Sequence, residues 1–221
     1  DIAIVGMQCI LPGAQDLLKF WDNVLNKVNT LREVADERWQ QDIYFNKNGF
    51  SEDKTYSKWG GFLDPIGFDP ISHGIPPASL ACISANQLLA LEVSRRVLEA
   101  SGFDKRNDLK QKTAVIFGSA DSGELGEEYS FRALLPHYLN LVQGISEEDK
   151  EKVYSEILSQ LPPLTEDSLP GILQNVVAGR IANRLNLGGA NFTVDAACAT
   201  SFAALDVAVK MLRAGSCEAA L

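Results

Sequence analysis

Positive charge is in short supply in this sequence. Against 29 Asp and Glu stand 20 Lys and Arg, a formal net charge of −9. That balance argues against nucleic acid as a partner and supplies no basic patch for a membrane surface. No apolar run approaches the ~20 residues of a membrane-spanning helix. The start lacks the basic region of a signal peptide and reads as a strand from the outset, Asp1-Ile-Ala-Ile-Val5. Four cysteines, at 9, 82, 198 and 217, show no regular spacing. A disulfide scaffold and a CxxC metal site are therefore not indicated, and a reduced, cytoplasmic setting is expected. A glycine-rich turn, 118–123, follows the apolar run Thr113–Phe117 but has neither the GxxxxGK[ST] nor the GxGxxG spacing, which excludes reading a nucleotide site there. What remains is ordinary for a globular chain, 46% hydrophobic and 22% charged. The length suffices for one sizeable core or one large half of a bigger domain.

The stretch Asn191–Gly215 organises the rest. Phe192, Thr193 and Val194 are β-formers and predict a short buried strand. Small residues then lead to Cys198. From Ser201 the apolar period is helical, with Phe202, Leu205, Val209 and Leu212 on one stripe, and Gly215 stands where a helix stops. Cys198 thus falls at a strand-to-helix turn, where free N–H groups and the helix dipole favour a thiolate. Ala196, Ala197 and Ala199 leave room for a substrate to approach the sulfur. Cys9, Cys82 and Cys217 have no such setting and read as small buried residues. Cys198 reads as a nucleophile.

Val-Asp-Ala-Ala-Cys-Ala-Thr-Ser (194–201) resembles the active-site motif of the β-ketoacyl synthases, the condensing domains of polyketide and fatty acid synthases. Other stretches carry the same resemblance. Ile-Val-Gly-Met-Gln-Cys-Ile-Leu-Pro-Gly (4–13) is similar to the opening of polyketide-type ketosynthases, and Phe20-Trp21 with Val24 and Leu25 to their Phe-Trp-x-x-Leu helix. Arg38-Trp39 resembles the Pro-x-x-Arg-Trp loop without its proline, and Trp39 is expected to pack. Gly60-Gly-Phe-Leu63 and Phe68-Asp69 resemble a further family passage. Asn175, Ala178, Gly179, Arg180, Ile181, Leu185, Leu187 and Gly189 match the helix that precedes the family's nucleophile. Gly179 there reads as permitting close approach of another backbone, Gly188-Gly189 as closing the helix, and Arg180 as structural. The helix start Cys82–Leu91 departs from the usual Met-Asp-Pro-Gln-Gln-Arg form, and Gly74–Pro77 is similar to synthases of the polyunsaturated fatty acid type. Ser84 is placed to cap that helix through its hydroxyl.

The order strand, helix, strand, helix, strand, helix is α/β with a parallel-type sheet. The resemblance implies the thiolase-like fold, layered α/β/α/β/α when complete, with residues 1–221 its N-terminal half. A long excursion is expected at about 124–168. It holds short helices around Phe131–Leu135 and Val153–Leu158, and 147–152 forms a solvated face. The resemblance further implies decarboxylative Claisen condensation. Cys198 would carry the acyl thioester, its N–H would serve as an oxyanion donor, and malonyl would arrive on an acyl carrier protein. No metal or redox cofactor is implied, because the 4′-phosphopantetheine arm belongs to the carrier protein. A homodimer joined near Asn191–Thr193, within a multidomain synthase, is implied as well.

Ketosynthases also use two histidines and a lysine from beyond the nucleophile. Here His73 and His137 both precede Cys198, outside the family's histidine motifs, and read as surface or loop residues. The chain is therefore expected to be incomplete as a catalyst. Two alternatives stand beside the enzyme: a catalytically silent thiolase-fold partner of the chain-length-factor kind, and a dimerisation module.

Overall fold

The computed structural model describes residues 1–120 and 123–221, so Asp121 and Ser122 of the glycine-rich turn lie outside the described residues. The chain divides into two units, residues 7–67 and residues 1–6 with 68–221.

In the smaller unit, α1 (Leu17–Leu25) starts where the Asp16 carboxylate accepts the Lys19 N–H at 2.8 Å, an N-cap that satisfies a free donor. Its aromatic and aliphatic stripe is largely in the open: Trp21, Val24 and Leu25 are exposed, while Asn23 is buried against the Gly13 carbonyl. An antiparallel ribbon follows, β1 (Arg32–Glu33) against β2 (Trp59–Gly60), with α2 (Gln41–Tyr44) in the connection. Trp39 packs edge-on against Tyr44 at 5.8 Å, the packing role expected of it.

The larger unit carries α3 (Ala85–Ser101), α4 (Asn107–Lys110), β3 (Thr113–Gly118), α5 (Gly123–Leu141), α6 (Glu147–Gln160), α7 (Ser168–Ile172), α8 (Gln174–Leu185), β4 (Asn191–Val194), α9 (Thr200–Arg213) and β5 (Ala219–Ala220). Its sheet is parallel, in the order β4-β3-β5, with Val115 opposite Asn191 and Thr113 opposite Ala219. Side chains alternate along β3. Val115 joins Val177, Ala178, Ile181 and Ala182 of α8, with Ala90 and Leu98 of α3 behind them. Ala114 and Ile116 point the other way, into Ala204, Val207, Ala208 and Met211 of α9. Fully burying a side chain such as Ile181 is worth roughly 1.5–3 kcal/mol. That packing fixes β3 and β4 between two helical layers.

Five expectations need correcting here. Residues 2–5 are not a strand: Ile4 and Val5 are exposed, and no described segment offers them a ladder. An apolar run becomes a strand only where a neighbour satisfies its N–H and C=O groups. On α9 the sheet-facing stripe is 204, 207, 208, 211 and 212, where two alanines let the helix lie close; Leu212 is there as expected, but Phe202 and Leu205 remain 77% and 57% exposed. Ser84 is the N-cap of α3, but its hydroxyl makes no cap bond; its backbone N–H instead donates to the Gly171 carbonyl at 2.9 Å. Gly179 is not where backbones meet, since a Cβ there would find only Asn191 Oδ1 at 3.6 Å. The close approach is at Gly189, where a Cβ would come within 2.4 Å of the Thr113 carbonyl oxygen. The stop signal for α8 is Asn186, left-handed at φ 55°.

The excursion forms two helices, α5 and α6, both longer than the sequence pattern indicates. Ser146 caps α6, and 147–149 supply acidic residues to its first turn, favourable to the helix dipole. Arg132 ties the pair together by donating to the carbonyls of Leu158, Leu161 and Pro162 at 3.2–3.3 Å. Ser168 donates to the Tyr129 hydroxyl at 3.0 Å, and Cys82 Sγ lies 3.3 Å from Thr165 Oγ1. These polar anchors are non-local, and periodicity does not see them. No helix among the described residues is long and apolar enough to cross a membrane.

Candidate active site

Parallel strands put their C-terminal ends on one edge, where ligands of open α/β sheets bind. Gly118 and Val194 are paired at that edge, and the Ser119 N–H donates to the Val194 carbonyl at 3.2 Å. The chain then turns sharply. Ala197 is left-handed at φ 48°, Ala197–Ala199 make one tight helical turn, and α9 starts at Thr200. Cys198 sits on this turn, exposed and free, two residues before α9.

A left-handed alanine costs roughly 1–2 kcal/mol, so the surroundings must hold it. Asp195 Oδ1 accepts the Ala197 N–H at 2.8 Å. Thr200 Oγ1 accepts the Ala196 N–H at 2.8 Å and donates to the Ala197 carbonyl at 2.7 Å. The Ala199 N–H reaches the Ala196 carbonyl at 3.0 Å. Among the described residues, the Cys198 N–H has no acceptor. It is the donor left over in a turn whose other N–H groups are used.

The other thiols differ in setting. Cys82 and Cys217 are buried. Burial pushes the Cys217 thiol up, and burial with the nearby Asp16 charge does the same to Cys9. Arg180 keeps the structural role expected of it, its Nε donating to Gln87 Oε1 at 2.7 Å. The amide of Gln87 in turn donates to the carbonyls of Pro170, Gly171 and Leu173. Burial, then the charge of Arg184, lowers the Arg180 pKa.

Both histidines stand where expected, His137 at the surface and His73 in a turn, but the His73 ring is buried there. His137 is exposed, on α5. His73 is buried: Phe68 stacks on its ring at 4.5 Å, Nδ1 lies 2.9 Å from the Asp69 carbonyl, and Nε2 lies 3.0 Å from Glu92 Oε2. Glu92 is buried too. Desolvation works to raise its pKa, but hydrogen bonds from Arg95 and Arg96 outweigh it and hold the carboxyl down to about 2. Neither histidine hydrogen-bonds to the 195–200 turn among the described residues.

Asp195 and Thr200 lie within the 194–201 motif and Gly118 opens the glycine-rich turn, but none of them has a role of its own in the sequence pattern. The signal for the first two is present in retrospect: an Asp two residues before a turn N–H, and a Thr at the first position of a helix.

The profile described as "Beta-ketoacyl synthase, N-terminal domain" matches residues 1–221. A polyunsaturated fatty acid synthase subunit of Thraustochytrium sp. is 31% identical over 98% of the chain and 8% of its own length. Mycoketide-CoA synthase of Mycobacterium tuberculosis is 31% identical over 100% of the chain and 5% of its own length. The chain thus spans less than a tenth of these relatives. Among solved structures, the Streptomyces albus oxazolomycin ketosynthase domain OzmH KS7 superposes with a TM-score of 0.74 at 22% identity. That match covers 97% of the chain and 32% of the solved one. The ketosynthase from module 6 of the Bacillus subtilis bacillaene synthase gives 0.69 at 24% identity, with 97% and 30% covered. At such identities the likeness establishes the fold, which is thiolase-like.

Proposed function

The chain belongs to the β-ketoacyl synthase family, as its N-terminal domain, and from that premise we propose that it carries the nucleophile of a decarboxylative condensing enzyme. The observation that supports this reading is the exposed Cys198 on a left-handed turn at the strand ends, with its own N–H unclaimed. Cys198 sulfur attacks the acyl thioester of a carrier protein. The tetrahedral oxyanion forms beside the Cys198 N–H, and the carrier thiol leaves, taking the proton. Malonyl on a carrier protein then loses CO2, and its carbanion attacks the Cys198 thioester to release a 3-ketoacyl product. Thioester exchange is nearly isoenergetic, so CO2 loss drives the carbon–carbon bond. The phosphopantetheine arm belongs to the carrier protein.

Acid/base assistance is proposed to come from groups outside these 221 residues, because His73 is buried beside Glu92 and His137 stands on the open face of α5. In this reading residues 1–221 form the N-terminal half of the ketosynthase domain of a multidomain polyketide or polyunsaturated-fatty-acid-type synthase, in a reducing, cytoplasmic setting. Homodimerisation is proposed through β4, the edge strand of the sheet, whose unpaired backbone groups invite a second copy. A silent thiolase-fold partner or dimerisation module is the alternative, and the intact exposed thiol weighs against it.

In the full polypeptide, Cys198→Ala is expected to abolish acyl loading from thioester donors, read by peptide mass spectrometry. Acylation of that variant at the wild-type level would end the proposal.

A further inference from the structure

The turn that presents Cys198 is held from both sides, and its holders include no group placed to react. Thr200 is buried, with its hydroxyl between the Ala196 N–H (2.8 Å) and the Ala197 carbonyl (2.7 Å). The same hydroxyl lies 3.4 Å from Asp195 Oδ1, which accepts the Ala197 N–H at 2.8 Å. Thr200 Cγ2 rests on Gly118 at the end of β3, where a Cβ would come within 2.6 Å of it. Three elements therefore converge on one threonine: the end of β3, the end of β4 through Asp195, and the first residue of α9. Ala197 at φ 48° is the residue under tension between them.

We propose that Thr200 and Asp195 are positioning residues for Cys198: together they clamp Ala197 in its left-handed state and so set the direction of the thiol and leave the Cys198 N–H free. The inference rests on the condensing reading for its chemistry, but its geometry stands apart from it. If the hydroxyl of Thr200 is removed, Ala196 N–H and Ala197 C=O lose their shared partner. Ala197 then relaxes toward ordinary φ, and the sulfur and the N–H swing together. A displacement of about 1 Å at a reacting atom costs on the order of 100-fold in rate. Thr200→Val keeps the methyl that packs on Gly118 and removes only the hydroxyl, whereas Thr200→Ser keeps the hydroxyl. Asp195 is exposed, and Asp195→Asn retains an oxygen to accept the Ala197 N–H, whereas Asp195→Ala does not.

The test uses the full polypeptide and two readouts, acylation of Cys198 by an acyl-thioester donor and alkylation by iodoacetamide, each with a melting curve. Thr200→Val and Asp195→Ala are expected to lower the acylation rate constant ~10–100-fold with KM for the donor unchanged, and to slow alkylation of Cys198 alone among the four cysteines. Thr200→Ser and Asp195→Asn are expected to restore both. Wild-type rates in Thr200→Val or in Asp195→Ala overturn the proposal, as does failure of Thr200→Ser to rescue. Should Thr200→Val not fold, Asp195→Ala decides the same question, since its side chain is at the surface. Absence of acylation in the wild-type protein removes the condensing reading, and the alkylation series then still decides the clamp.

Discussion

The helices α8 and α9 lie on opposite faces of the same three-stranded sheet, yet they are finished to different degrees. On α8, Val177, Ala178, Ile181 and Ala182 are buried, and α3 closes over them. On α9 only Thr200 is buried, and beside β5 the helix borders a groove of about 670 Å³ lined by Ile2, Val5, Leu205, Val209, Leu212 and Leu221. The helix that precedes β4 is sealed on both sides, whereas the one that follows Cys198 is sealed on one. Leu205 at 57% exposure and Phe202 at 77% mark the unsealed side. Exposed apolar surface of that kind is what interaction sites and ligand-binding grooves present.

The contrast makes graded predictions. The largest effect belongs to the sealed side: Ile181→Ala is expected to destabilise the chain by about 2–5 kcal/mol in a denaturant melt, from lost burial and the cavity left behind. A smaller cost would mean that α8 is not the packed layer described here. Acid is the next lever. The folded-state pKa of Glu92, about 2, lies below the ordinary carboxylate value near 4.5. The Glu92 contribution is therefore fully present above about pH 4.5 and is lost as the pH falls toward 2. Glu92→Gln is expected to flatten the stability–pH curve in that window, and an unchanged curve would remove the buried Glu92 cluster from the account.

On the open side, Leu205→Ala is expected to change the stability of residues 1–221 by no more than about 0.5 kcal/mol, as for an exposed site. Residues 1–221 are expected to bind ANS through the groove beside α9. A Leu205→Ala penalty as large as that of Ile181→Ala would dissolve the comparison. The smallest effect lies at the turn: Ala197→Gly relieves the left-handed strain but adds unfolded-state freedom, so its melting shift is expected to correspond to under about 1 kcal/mol.

Much of the site was legible because the signals are local. The β-formers 192–194, the small residues 196–199 and the helical period after Ser201 each act over a few residues, and together they place Cys198 at a strand-to-helix turn. His73 was not legible, because nothing beside it in sequence announces that Glu92, nineteen positions on, will meet it. The α9 stripe was misread for a related reason. The helix is apolar on two sides, and period alone does not say which side faces a sheet that is closed by β3, some eighty residues earlier.

By itself the sequence determined the family, the place of Cys198 at a strand-to-helix turn and the α/β order, since these follow from residue type at fixed spacing along the chain. Tertiary structure alone decided the left-handed state of Ala197, the Asp195–Thr200 clamp, the burial of His73 and the absence of a ladder for residues 2–5. Each of these depends on whether a distant segment supplies a hydrogen-bond partner or a surface. Such partners are set by packing in space, to which spacing along the chain is blind.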